Sequence, residues 1–281
     1  MRSADVNTAS KSLESTSGNS FLVAEMTRSI ADWGGNIAAF ILVIVFNVLA
    51  SSLPLGGQTT GQVSAKYPSL FVPAGYVFSI WGLIYLGLTA FVIYQALPAQ
   101  RSSRKLASIT PLFVTNCIAN ALWLVAWHYE QLVLSALLMI AILITLVLIY
   151  RRLDIGRVRV SSAERWCVYL PFSIYTGWIT VATIANLSAL QYASGWDDFG
   201  VDAVTWTILK IAVAATIAAR MLFLRRDFAY VLVICWASAG IAVKQVTAPA
   251  VVGAATAAAA VGVMLILSAF LSRPTDRPAP G

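Results

Sequence analysis

The chain has 281 residues, 59% of them hydrophobic and only 11% charged, where soluble domains average about 25% charged. That deficit excludes an ordinary soluble globule and any disordered or collagen-like class. The net charge of +7 does not point to nucleic acid, because the basic residues sit between apolar runs and read as topology signals. The expected class is a polytopic protein of the lipid bilayer.

Residues 1–31 are polar and Ser/Thr-rich, with Asp5 and Glu14 where a signal peptide would want positive charge. They are expected to form a disordered cytoplasmic tail. Eight apolar runs follow, at 36–53, 73–97, 107–128, 132–150, 166–190, 203–224, 228–246 and 248–271. Each is close to the ~20 residues that a spanning helix needs. The runs are continuous rather than alternating, which excludes a membrane β-barrel. The expected fold is therefore all-α, a transmembrane bundle of eight helices, with the tightest turn around Pro249. Residues 273–281, with Pro274, Pro278 and Pro280, read as a second flexible tail. Cys117, Cys167 and Cys235 lie in or beside apolar runs without metal or redox spacing, so no disulfide framework is expected.

Charge tests this layout. With the N-terminus in the cytoplasm, all of the 19 basic residues but Lys66, Lys210 and Lys244 fall on the inner side. An eight-span protein with both termini inside meets the positive-inside rule, and one span more or fewer would scramble the distribution. The outer connection 191–202 agrees, having three acids and no base.

Polar residues inside spans are the default functional suspects. All 12 acids lie in tails, loops or helix ends, which disfavours ion-coupled transport. The single histidine, His128, ends the third span and reads as an interfacial residue rather than a metal ligand. No metal cluster or phosphate-binding glycine loop is present in the sequence, so no cofactor is required. Lys210 has two readings. It snorkels to the outer interface, which is preferred, or it is a buried cation for an anionic or aldehyde ligand.

Aromatic residues and asparagines recur at helical spacing. Phe78, Trp81 and Tyr85 share a face of the second span. Asn116, Asn120, Trp123 and Trp127 form a stripe on the third, and Tyr175, Trp178, Ala182 and Asn186 on the fifth. Plain packing explains any one of these. Three stripes of one chemistry argue better for a shared pocket that takes a large, flat, apolar ligand.

These residues also carry a resemblance. The chain resembles the TspO/MBR family of tryptophan-rich sensory or translocator proteins, which are peripheral benzodiazepine receptor-like. The family's second-helix motif, P-P-x-W-V-F followed by W-x3-Y, corresponds to Pro73–Phe78, Trp81 and Tyr85. Its third-helix pattern, Q-x3-N-x2-W-x3-F, corresponds to Asn116, Asn120, Trp123 and Trp127. Its fifth-helix pattern, W-x3-A-T-x2-N, is complete at Trp178, Ala182, Thr183 and Asn186. Departures are Tyr76 for the second-helix Trp, one residue fewer between Phe78 and Trp81, and Asn116 for Gln.

The resemblance covers residues 33–196 and implies a five-helix unit at 32–196. Such a unit binds porphyrin, sterol-like or drug-like ligands beneath a long loop, here 54–72. The residues it implies for binding are Tyr76, Asn120, Trp123, Trp178 and Ala182. Phe78, Trp81, Asn116, Trp127 and Asn186 join them from the stripes. The resemblance implies binding for sensing or transport. A membrane enzyme or photochemical protein acting on such a ligand, and an uncoupled permease, are the alternatives.

Residues 197–272 are expected to add three helices rich in small residues, among them Ala214, Ala218, Ala237, Gly240, Gly253 and Gly262. Small residues let helices approach closely. The preferred reading is an accessory bundle packed on the first five helices. The sharper one is a homo-oligomer surface.

Overall fold

The computed structural model describes residues 27–52, 55–195 and 198–271. Among these there are nine α-helices and no strand. The helices are α1 Ile30–Ser52, α2 Thr60–Lys66, α3 Ile80–Ala96, α4 Arg104–His128, α5 Leu132–Arg152, α6 Ser162–Ala193, α7 Ala203–Arg225, α8 Phe228–Lys244 and α9 Pro249–Leu271. All but α2 and α8 are long and apolar enough to cross a membrane, α3 together with the preceding turn as Gly75–Ala96.

Helix α8 has only 17 residues, a length of ~26 Å against a hydrocarbon core of ~30 Å. Even so, it runs from one end of the bundle to the other. At its start Asp227 accepts a hydrogen bond from Tyr150, and just past its end Gln245 donates to the Val72 carbonyl. Eight helices thus traverse the bundle, as the apolar runs require. The ninth, α2, lies in the 54–72 connection, which has no apolar run.

Local chemistry sets the helix limits. Asp202 accepts from the Val204 and Thr205 amides and starts α7. Arg226, at φ 51°, ends it, and the Asp227 carboxylate caps α8 by accepting from Tyr230 N. Pro249 opens α9, where a missing N–H costs nothing. Helix α6 contains a π-helical turn at Arg165–Tyr169, just before Pro171. Proline cannot donate to the preceding turn and its ring crowds it, so the wider turn lets the helix continue. Pro171 then packs on Gly87 of α3, where a Cβ would lie 3.1 Å from the proline Cβ.

Helices α1, α3, α4, α5 and α6 surround a core that is aromatic at both levels. In the half near the start of α4, Phe91, Phe113 and Phe172 meet with ring centroids 4.9–6.1 Å apart. Helix α8 packs along the other face of α6 and carries α7 and α9 with it. Gly177 of α6 faces Tyr230 and Val233, Thr180 shares a 2.7 Å hydrogen bond with the Tyr230 hydroxyl, and Gly240 lies against Val77 and Pro73. The three C-terminal helices therefore dock on the core through close backbone approach.

Two ends can be distinguished. The basic end gathers the arginines of the described chain, and the lid end carries α2. At the basic end the order begins earlier than expected. Arg28 is buried, pairs with Asp32 at 2.7 Å and donates to the Gln95 side chain at 2.7 Å. Asn36 donates to the same Gln95 oxygen. An arginine removed from water in this way needs such partners, which is why α1 starts at Ile30 inside the stretch read as a tail. Residues 1–26 and the expected tail at 273–281 lie outside the described residues.

Candidate functional site

Helix α3 opens with a 3-10 turn at Gly75–Ser79. Three residues per turn place i and i+3 in line, so Phe78 and Trp81 point the same way despite the shortened spacing. Trp81 stacks on Tyr85 at 5.5 Å and on Trp123 at 6.3 Å, and Trp123 stacks on Trp127 at 6.2 Å. From α6, Trp178 meets Phe78 and Trp81 edge-on at 5.8 and 6.2 Å. The three stripes of aromatic residues face one another.

Two adjoining cavities result. The first is a slot of about 40 Å³ between Phe78, Trp81, Trp123, Trp127, Trp178, Ala182 and Asn186, closed by Thr60 and Ser64 of α2. A slot of this size holds water-sized molecules only. The second is a chamber of about 590 Å³ between the lid-end halves of α1 and α3, within the usual ~300–1,000 Å³ of ligand sites. It is walled by Ile44, Asn47, Gly82, Tyr85 and Leu124, and shares Thr60, Phe78, Trp81 and Trp123 with the slot.

Polar atoms around the slot are incompletely satisfied. Asn186 Nδ2 donates to Ser135 Oγ at 2.8 Å and Asn120 Nδ2 to Tyr175 OH at 3.0 Å. The carbonyl oxygens of both amides, and the indole N–H groups of Trp123 and Trp178, are buried without a hydrogen-bond partner. A buried unpaired polar group costs about 1–3 kcal/mol. Of these, Trp123, Trp178 and Asn186 line the slot, so its lining residues carry two unpaired donors and one unpaired acceptor.

The lid is clasped to the α4–α5 turn by one carboxylate. Glu130 accepts from Lys66 Nζ at 2.6 Å, Tyr67 OH at 2.7 Å and Gln58 Nε2 at 3.0 Å. These bonds hold its carboxyl down at about 2, and burial together with Glu130 pushes the Tyr67 phenol up to about 12. Trp127 Nε1 also donates to the Thr60 carbonyl. His128 Nδ1 is 2.7 Å from the Leu124 carbonyl, which fixes it as the donor and leaves Nε2 to accept from Thr60 Oγ1 at 3.4 Å. His128 thus supports the lid, and among the described residues no cluster could hold a metal ion.

Three of the expected site residues stand elsewhere. Tyr76 is 49% exposed and meets Trp236 of α8 edge-on at 5.4 Å; two residues before Phe78, it lies on another face of the 3-10 turn, which aligns Phe78 with Trp81 instead. Asn116 is buried between helices and donates to the Ile142 carbonyl and Thr145 Oγ1 of α5, so it ties helices rather than lining a cavity. Asn120 lines neither cavity; its amide N–H goes to the Tyr175 hydroxyl and its carbonyl is buried without a partner. Thr60, Met139 and Asn47 line the cavities without having been singled out. Asn47 is an intramembrane asparagine, the signal that could have found it.

A family model described as TSPO-like protein matches residues 32–269. The chain belongs to the TSPO-like protein family. The TSPO-like match extends through α7 and α8 and nearly to the end of α9, so the three C-terminal helices lie inside the family's pattern rather than beyond it. No curated protein and no solved structure matches the chain.

Proposed function

We propose that this membrane protein binds a flat, mostly apolar molecule, of tetrapyrrole or sterol-like class, beneath the α2 lid, for sensing or transport. The ligand lies in the chamber against Phe78, Trp81 and Trp123, with one edge reaching the slot. The observation that carries this reading is a ligand-sized chamber walled by Phe78, Trp81 and Trp123 and adjoined by a slot whose lining residues Trp123, Trp178 and Asn186 carry two unpaired indole N–H groups and one unpaired carbonyl. Ring faces supply stacking of about 0.5–1.5 kcal/mol per pair beyond area burial, and the polar atoms fix orientation. A tetrapyrrole offers both pyrrole N–H groups and acceptors to such a set.

The basic end faces the cytoplasm in this reading, by the positive-inside rule. Reporter fusions at the two termini should then both score cytoplasmic. The binding test is quenching of tryptophan fluorescence by protoporphyrin in the purified protein. Saturable quenching that weakens in Trp178→Phe supports the proposal. Unsaturable quenching, identical in the variant, would overturn it.

A further inference from the structure

We propose that the basic end carries a second site, a cleft between α5, α6, α7 and α8 that seats an anionic phospholipid. The cleft has a volume of about 260 Å³. It exists because α7 packs on α8 and α9 and stands off from α5. Its deep part is lined by Leu143, Val147, Ile217 and Met221, and its mouth by Arg151 and Arg225. From Leu143 to Arg151, and from Ile217 to Arg225, each helix rises about 12 Å. One leaflet of hydrocarbon is about 15 Å deep. The cleft is therefore apolar over roughly the depth of a leaflet and cationic where a headgroup would lie.

The polar groups along the wall ask for nothing from a ligand. Thr176 donates to the Phe172 carbonyl, Thr180 to the Thr176 carbonyl, and the Thr180 and Tyr230 hydroxyls bond each other. The Tyr150 hydroxyl donates to Asp227. An alkyl chain can lie there without stranding a donor or acceptor, which contrasts with the slot under the lid.

At the mouth, Arg225 is held in place rather than free to sweep. Its Nη1 donates to the Ile155 carbonyl at 3.2 Å and lies 3.5 Å from Asp154, and its guanidinium sits 5.6 Å over the Tyr150 ring. Both polar contacts use Nη1, and a guanidinium has five N–H donors. Arg151 and Arg225 line the mouth and no carboxylate lines the cleft. Asp154 is half exposed, and Asp227 is buried and engaged with Tyr150 and Tyr230. The balance is cationic, and fixed arginines suit a phosphate. Basic pockets between helices at one membrane face are lipid-headgroup sites on physical grounds.

The lateral groove between α3, α6 and α8 is a useful contrast. It measures about 330 Å³ and is walled by Leu83, Leu232 and Trp236 with no charged residue, so it has no means to select a headgroup. Four of the ten residues lining the proposed site come from α7 and α8, which gives the C-terminal helices a task besides packing.

The test is thermal melting of the full chain in a neutral detergent with added lipid. Dioleoyl-phosphatidylglycerol should raise the melting temperature by several degrees and dioleoyl-phosphatidylcholine should not. Arg151→Gln removes an exposed charge, and Ile217→Trp fills the cleft from α7. Each should abolish the phosphatidylglycerol shift while leaving the lipid-free melting temperature close to wild type. Glycerol phosphate, the headgroup without chains, should give no shift. Equal shifts from both lipids, a phosphatidylglycerol shift that survives both substitutions, or a full shift from glycerol phosphate alone would overturn the proposal.

Discussion

Helix α6 has two faces built on opposite rules. Toward the slot it presents Trp178, Ala182 and Asn186, with an indole N–H and an amide carbonyl left unpaired. Toward α8 it presents Gly177, Thr176 and Thr180, with every hydroxyl bonded and the backbones close enough that Gly177 meets Val233. The α8 face fixes the position of the helix, and the slot face keeps unspent hydrogen-bonding capacity. The slot side tolerates a void and unpaired polar atoms because close backbone approach to α8 at Gly177 holds the helix in place.

The sharpest way to break that contrast is to spoil the packed seam. A Cβ at Gly240 would overlap Val77 Cγ2, and Val77 belongs to the 3-10 turn that aims Phe78. Overpacking of this kind costs about 1–3 kcal/mol, so Gly240→Val should lower the melting temperature most. Gly253→Ala, where a Cβ meets nothing, is the matched control and should be neutral.

Next in size is the slot face. Trp178→Phe and Ala182→Leu should each weaken porphyrin binding several-fold, measured by fluorescence titration, with little change in melting. Full affinity in both folded variants would place the ligand wholly in the α1–α3 chamber. Thr180→Val should do the reverse. It strands the Tyr230 hydroxyl, costing about 1–3 kcal/mol of stability, and leaves affinity unchanged.

Smaller effects are expected at the lid. The Glu130 carboxyl is held below its ordinary value of 4.5, at about 2, by bonds from Gln58, Lys66 and Tyr67. A depressed carboxyl stabilises the clasp fully above its ordinary value. That contribution is lost as pH falls from about 4.5 towards 2. Lid closure, followed by hydrogen exchange of the 60–66 amides, should be constant from pH 6 to 8, and Glu130→Gln should raise exchange at neutral pH. The smallest effect belongs to Lys210. Its Nζ donates to Gln191 at 2.6 Å in a small polar pocket beside Leu70 and Trp206, apart from the slot. Lys210→Met should leave porphyrin affinity unchanged, and a large loss would bring α7 into the site.

Much of the site was legible along the chain because helical spacing alone puts Asn120 and Trp123 a turn apart, and Trp178 and Ala182 likewise. Periodicity could not tell which polar atoms on a stripe are used up. Asn116 and Asn120 look equivalent in the sequence, yet one ties α4 to α5 and the other bonds Tyr175 of α6 and keeps a buried carbonyl unpaired. Tyr76 came from the family pattern, and two residues before Phe78 it lies about 120° away on a 3-10 turn and about 160° away on an α-helix, on another face in either case.

Composition and the spacing of apolar runs determined that this is a polytopic helical membrane bundle, because a bilayer leaves a polar backbone few ways to be satisfied. The matching stripes determined that aromatic residues and amides gather on α3, α4 and α6. Only the tertiary structure decided that the lid hangs on Glu130, that α8 runs along α6 to hold the turn carrying Phe78, and that α7 stands off to leave a basic-mouthed cleft. Those features join residues far apart in the chain, and they depend on which helix faces meet, which spacing along a single helix does not specify.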